Sequence, residues 1–102
     1  MKAYKLRVHL DVSEKGYVEV PVSQEFECKG HKFFIHRPFI YDKVADKNWS
    51  ISHITTGLRV SRTPKETRKL AKEAAISFMS TVKSFDKTFK EGIDKYGILN
   101  NI

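Results

Sequence analysis

Four side chains in the 102-residue chain carry the donor atoms of a transition-metal site: Cys28, His31, His36 and His53. A thiolate with imidazoles is a zinc-type donor set, and Cys28 to His31 has ligand spacing. Parity argues against such a site. His31 and His36 differ in parity, so on a regular strand they point to opposite faces. No second closely spaced ligand pair follows, so the expectation is isolated sheet histidines, with no metal and no other cofactor. Nucleophilic chemistry has one suggestive stretch, Ser50, Ser52 and His53, within a predicted strand. The acids, among them Asp11, Glu27, Asp46, Glu73 and Asp94, are scattered and form no DxD or ExxH pair. "TTG", Thr55 to Gly57, hints at an anion cradle, but no Walker or dinucleotide glycine pattern accompanies it. The chain reads as a protein that is not an enzyme.

Charge is the stronger feature. There are 19 Lys and Arg against 12 Asp and Glu, a net +7. Residues 1–60 hold 10 basic and 7 acidic groups (+3), and residues 61–102 hold 9 and 5 (+4). Lys65, Arg68, Lys69 and Lys72 fall at i, i+3, i+4 and i+7 of a predicted helix, opposite Leu70 and Ala74. Arg59 and Arg62 lead into the same helix start. Such a stripe suits a phosphate backbone, each cation releasing about one counterion. The plainer reading is a solvated helix face, with Glu66 and Glu73 diluting its potential. Aromatics are the second test, because single-strand binders stack bases on exposed rings. Phe34 is out of phase with Phe33 and Ile35, which puts it on an outer face near Lys32 and His36. Tyr17 and Tyr41 are expected to be exposed too. The RNP-type consensus is absent.

These residues need elements to hold them. Tyr4, Leu6, Val8, Leu10 and Val12 alternate with polar residues, the period of a half-buried strand. Ser13–Gly16 supplies a turn, and Tyr17–Cys28 alternates again. Pro21 cannot donate to a ladder, so that strand lies at an edge or breaks near its middle. "CKGH" is a tight turn, and "HKFFIHR" a third strand with Phe33 and Ile35 inward. Pro38–Asn48 has poor alternation and reads as the longest connection, either a loop or a stretch carrying a short strand. Trp49 opens a fourth strand to about Val60, whose apolar phase switches and predicts a bulge near Gly57. Thr63, Pro64 and Glu66 fit the N-cap, first and third positions of a capped helix. Its apolar face is Leu70, Ala71, Ala74, Ala75, Phe78, Met79 and Val82, and Phe85, Phe89, Ile93 and Tyr96 extend it. Either one long helix runs to about Tyr96 or Ser84 caps a second, with Gly97 closing the end. The expected fold is α+β. A four-stranded antiparallel meander is followed by one long or two consecutive C-terminal helices packed on one face.

Residues 1–102 form one domain of ordinary size with 40% hydrophobic and 12% aromatic residues, which excludes disorder. No apolar run is long enough to span a bilayer, and "MKAYKLRVHLDV" lacks the apolar core of a signal peptide. A single cysteine fits a reducing compartment, so the expected location is the cytosol. The order of short strands, then "WSISHITTGLRV", then "TPKETRKLAKEAA" resembles small orphan proteins of phages and mobile elements in Gram-positive bacteria, over about residues 31–80. Some of those proteins are anti-CRISPR or other anti-defence inhibitors. The resemblance implies a non-enzymatic protein acting through a surface, and it assigns no residue a role. Three functions are therefore in view. The first is a binding module whose basic face meets nucleic acid or a ribonucleoprotein. The second is an inhibitor of a host defence nuclease. The third is a homo-oligomer joined by a sheet edge or by the Phe85–Phe89–Ile93 stripe.

Overall fold

The computed structural model describes residues 2–40, 43–60, 63–81 and 85–101. Seven short strands precede two helices: β1 (Ala3–Arg7), β2 (Tyr17–Pro21), β3 (Gln24–Cys28), β4 (His31–His36), β5 (Phe39–Ile40), β6 (Lys43–Val44), β7 (Ser50–His53), α1 (Arg68–Thr81) and α2 (Phe85–Tyr96). The fold is α+β and its strands pair antiparallel, but the single meander is not what forms. The strands divide into β1–β2, β3–β4–β7 and β5–β6. The Tyr17–Cys28 run passes from one sheet to the other just after Pro21, where Val22 still donates to the Lys2 carbonyl at 2.9 Å and Ser23 already donates to that of Ile35 at 2.8 Å. The break still leaves the two sheets tied. Tyr4 donates its hydroxyl to Glu25 Oε1 at 2.7 Å, and Lys2 Nζ donates to Oε2 at 2.9 Å. Both contacts hold the Glu25 carboxyl below its ordinary range, Lys2 more than Tyr4.

The three-stranded sheet is the centre of the molecule and is covered on both faces. On one, Phe33, Ile35 and Ile51 pack with Val60, with Ala71, Ala75 and Met79 of α1, and with Phe89 of α2. On the other, Phe34 and Ile54 pack with Tyr4, Leu6 and Val20 of the β1–β2 sheet. Phe34 is therefore core, at 0% exposure, and not the outward ring its phase suggested. A strand buried on both faces carries no solvent face for phase to report. The alanines of α1 keep their expected role, letting the helix lie close. Its buried stripe is narrower than the sequence implied, however, and Leu70 and Phe78 are exposed.

Two local corrections concern the segment between β7 and α1. The strand expected from Trp49 to Val60 does not continue through a bulge but folds back. Gly57 donates to the His53 carbonyl at 2.8 Å, His53 to that of Leu58 at 2.8 Å, and Val60 to that of Ile51 at 2.9 Å. The apolar phase switches because the chain reverses. Gly57 sits at positive φ (71°), where a Cβ would lie 2.4 Å from Leu99 Cδ2 and 3.0 Å from the Lys5 carbonyl oxygen. Both the backbone angle and the close approach demand glycine here. The capping box on Thr63 and Glu66 does not form either. Lys65 exchanges both backbone hydrogen bonds with Trp49, at 2.7 and 3.0 Å, so this stretch is consumed by the sheet. The cap falls to Thr67, whose Oγ1 accepts from the Leu70 N–H at 3.1 Å.

The described residues hold two C-terminal helices, α1 and α2, and the expected cap at Ser84 lies outside the described residues, as do Tyr41 and Val82. Gly97 ends α2 with φ 83° and its N–H on the Ile93 carbonyl at 2.7 Å, the single-bond left-handed cap. The chain beyond it is held by Asn100, whose amide accepts from Lys5 N–H at 2.8 Å and donates to the carbonyls of Lys5 and Ile54 at 2.9 and 2.7 Å. None of the described helices is long and apolar enough to cross a membrane.

Candidate nucleic-acid interface

The basic residues singled out from the sequence do not form one stripe. Arg68, Lys69 and Lys72 come together with Gln24 of β3 and Thr67 around an open groove at the start of α1. Lys65 is separated from them because it belongs to the extended segment bridged to Trp49. Arg59 is exposed and opposes Ser52 across the returning chain, on the other face of the central sheet. Arg62 lies outside the described residues. Helical spacing held for the three residues that are helical and failed for those whose backbone is committed to the sheet.

What surrounds the groove was not legible from spacing. Two guanidinium groups lie over the Trp49 ring, with Arg37 Cζ at 3.7 Å and Arg68 Cζ at 5.5 Å from its centroid. Arg37 is steadied by donation to the Asn48 carbonyl at 3.0 Å, and Arg68 by donation to Ser23 Oγ at 3.0 Å. Lys72 stands 5.1 Å over the Phe26 ring. The cations are thus pre-positioned on aromatic faces, each contact contributing about 0.5–1 kcal/mol at an exposed site. Sequence reasoning missed Arg37, Trp49 and Gln24. The available signal was strand pairing, since Arg37 follows directly on His36, which pairs with Ser50 beside Trp49. Among the described residues, no carboxylate is ion-paired to Arg59, Lys65, Arg68, Lys69 or Lys72.

The histidines and serines are placed by the two cores. His31 pairs with Cys28 across the tight turn, and its Nε2 meets Asp86 Oδ1 of α2 at 2.5 Å. His53 stacks on Phe89 with centroids 3.8 Å apart and rings within 10°, and its Nδ1 accepts from Thr56 Oγ1 at 2.9 Å. Burial, helped by the charge on nearby His31, brings the His53 pKa down to about 4. His36 faces the opposite side with Ser52. Its Nδ1 donates to the Arg37 carbonyl at 2.8 Å, which leaves Nε2 to accept from Ser52 Oγ at 2.8 Å. Burial first, and Arg59 second, bring the His36 pKa down to about 4. Ser52 and His53 are on opposite faces and form no dyad. His36 and Ser52 do pair, but at 1% and 0% exposure they fill the space between two sheets. Phe89 is 2% exposed and packed in the core, so the Phe85–Phe89–Ile93 stripe lacks its middle member as an interface.

Comparisons of the chain with protein-family models, with curated proteins and with solved structures found no match.

Proposed function

We propose that the protein is a non-enzymatic binding module that docks a nucleic-acid backbone at the start of α1. The observation that carries this reading is the convergence of Arg68, Lys69 and Lys72 on one groove, with the Trp49 ring in contact with Arg68 and Arg37 beside it. Phosphates suit that groove for three reasons. The cations lack carboxylate partners among the described residues. The first turn of α1 adds backbone N–H groups beside them. Lys and Arg held in place also lose less side-chain freedom on binding. The likeness of residues 31–80 to phage and mobile-element proteins makes a ribonucleoprotein of a host defence nuclease a natural target, since its guide presents the same phosphate pattern.

The test is a fluorescence titration against short single-stranded and duplex RNA and DNA at several salt concentrations. Three phosphate contacts predict that log K falls with log salt by about 2 to 3 per decade. The Arg68→Ala, Lys69→Ala, Lys72→Ala triple variant should lose most of both the affinity and the slope. Absence of binding at low salt, or a slope that the triple variant leaves intact, would reject the groove as a phosphate site. A stable complex with a nuclease in that case would favour direct protein binding as the mode of inhibition.

A further inference from the structure

On the other face of the central sheet, a cavity of about 310 Å³ lies between the end of β1 and the β4–β7 pair. Part of its wall is apolar: Leu6, Val8, Val12 and Phe39. The rest is polar, and its hydrogen bonds do not balance. His36 lines the cavity with both ring nitrogens already engaged, by the Arg37 carbonyl and by Ser52. Ser50 pairs with His36 in the ladder and shares the face of Ser52, yet its hydroxyl has no partner at all, although the residue is 0% exposed. Arg7 borders the cavity as well, but its guanidinium lies over the Tyr96 ring, 5.0 Å from the centroid, with Nε donating to the Thr56 carbonyl at 3.0 Å. Buried polar groups are nearly always satisfied, and an orphan hydroxyl in a folded core is a standing cost. Replacing Ser50 by alanine would remove that cost without creating a void large enough to matter. Its presence on a cavity wall is accounted for if something else completes it.

The remaining wall indicates what that is. Arg59 lines the cavity from an exposed position, and no carboxylate stands among the described lining residues. The exposed Arg59, an unpartnered hydroxyl and an apolar floor accept a negative head on an apolar body. The volume is at the small end of ligand sites. We propose that this cavity binds a small organic anion, a carboxylate or phosphate on an apolar body, with the anionic oxygens on Ser50 Oγ and Arg59 and the body against Leu6, Val8 and Phe39. Val12, 40% exposed, stands at the mouth. The site is independent of the groove at α1, because the two lie on opposite faces of the β3–β4–β7 sheet.

The experiment is a titration of the full-length, isotopically labelled protein followed by amide NMR, with benzoate, phenyl phosphate, benzyl alcohol and inorganic phosphate as probes. Benzoate or phenyl phosphate should move the amides of Val8, Ser50 and Arg59 with a common saturating curve. Benzyl alcohol, which lacks the charge, and inorganic phosphate, which lacks the body, should bind at least about tenfold more weakly. Ser50→Ala and Arg59→Gln should each weaken the organic anion by about tenfold. Ser50→Ala should also unfold at an equal or higher urea concentration, the signature of a hydroxyl kept for a ligand and not for the fold. The triple alanine variant at Arg68, Lys69 and Lys72 should bind the anion as the parent does. The proposal is overturned if neither organic anion moves those amides, if benzyl alcohol or inorganic phosphate binds as tightly, or if Ser50→Ala keeps its affinity.

Discussion

The two faces of the central sheet are built from the same two strands and differ in kind. The helix-side face is packed with Phe33, Ile35, Ile51, Met79 and Phe89 around His53, whose ring is used as an aromatic and stacks flat on Phe89. The opposite face alternates Phe34 with His36, Ser50 and Ser52 against the β1–β2 sheet, and contains a cavity and an orphan hydroxyl. The first face makes a dry core out of side chains that fit. The second accepts polar groups in burial and satisfies them unevenly, with His36 fully bonded and Ser50 not. Burial alone does not separate scaffold from site, whereas polar accounting does.

The largest effect that tests this comparison is truncation of one ring on each face. Phe33 and Phe34 are both 0% exposed, so each change to alanine should cost about 3–5 kcal/mol in urea unfolding. A solvated outer face, as strand phase alone implies, would limit Phe34→Ala to about 0.5 kcal/mol. A small cost for Phe34→Ala beside a large one for Phe33→Ala would remove the second core.

That contrast also marks what the sequence could reveal. The period of two was readable over Tyr4, Leu6 and β2, where each strand keeps a polar side, but it misled over Leu10 and Val12, since β1 ends at Arg7 and the chain turns at His9 with both side chains exposed. In β4, Phe34 and His36 read as an outer face, and nothing in the pattern announces that a second sheet covers them. Helix content, the closing role of Gly97 and the alanine contact of α1 are local or periodic properties, and they were legible. The passage of the Tyr17–Cys28 run between two sheets was foreseen as a break at its proline, but no residue says which partner each half takes, and nothing announced the β5–β6 pair. At the groove, the cations of α1 were readable and their aromatic supports were not, because Trp49 reaches Arg68 and Arg37 only through strand pairing.

Acid should destabilise both faces. His53 and His36 have folded-state pKa values near 4 against an ordinary 6.5, each lowered first by burial. As pH falls below about 6.5 the unfolded chain takes up the proton and the folded one does not. Stability is therefore full above that value, declines through the interval and levels off below about 4. Each imidazole can account for up to about 3 kcal/mol over the whole interval. Urea midpoints at pH 7 and pH 4.5 measure the loss. His53→Phe should recover its share by keeping the stack on Phe89 without a titrating ring, and His36→Gln should recover a different share. Equal midpoints in the parent at the two pH values would mean that neither imidazole is buried neutral.

The smallest effect concerns where the helix-side face ends. Pattern assigned the cap of α1 to Thr63, while the backbone exchange between Trp49 and Lys65 excludes helix there and Thr67 Oγ1 holds the Leu70 N–H. Thr67→Ala should therefore cost about 1 kcal/mol, with Thr63→Ala close to neutral. The same substitution should loosen the groove, because Thr67, Arg68 and Lys69 are consecutive on its wall. Fraying of the first turn would cost ordering of the two cations before it cost the fold. Thr67→Ala is thus expected to weaken nucleic-acid binding more than its stability loss alone requires, and a titration of the two variants beside urea curves separates the terms. If Thr63→Ala proves the more costly, the helix starts at Pro64, Lys65 rejoins the stripe, and the groove must be redrawn with four cations in place of three.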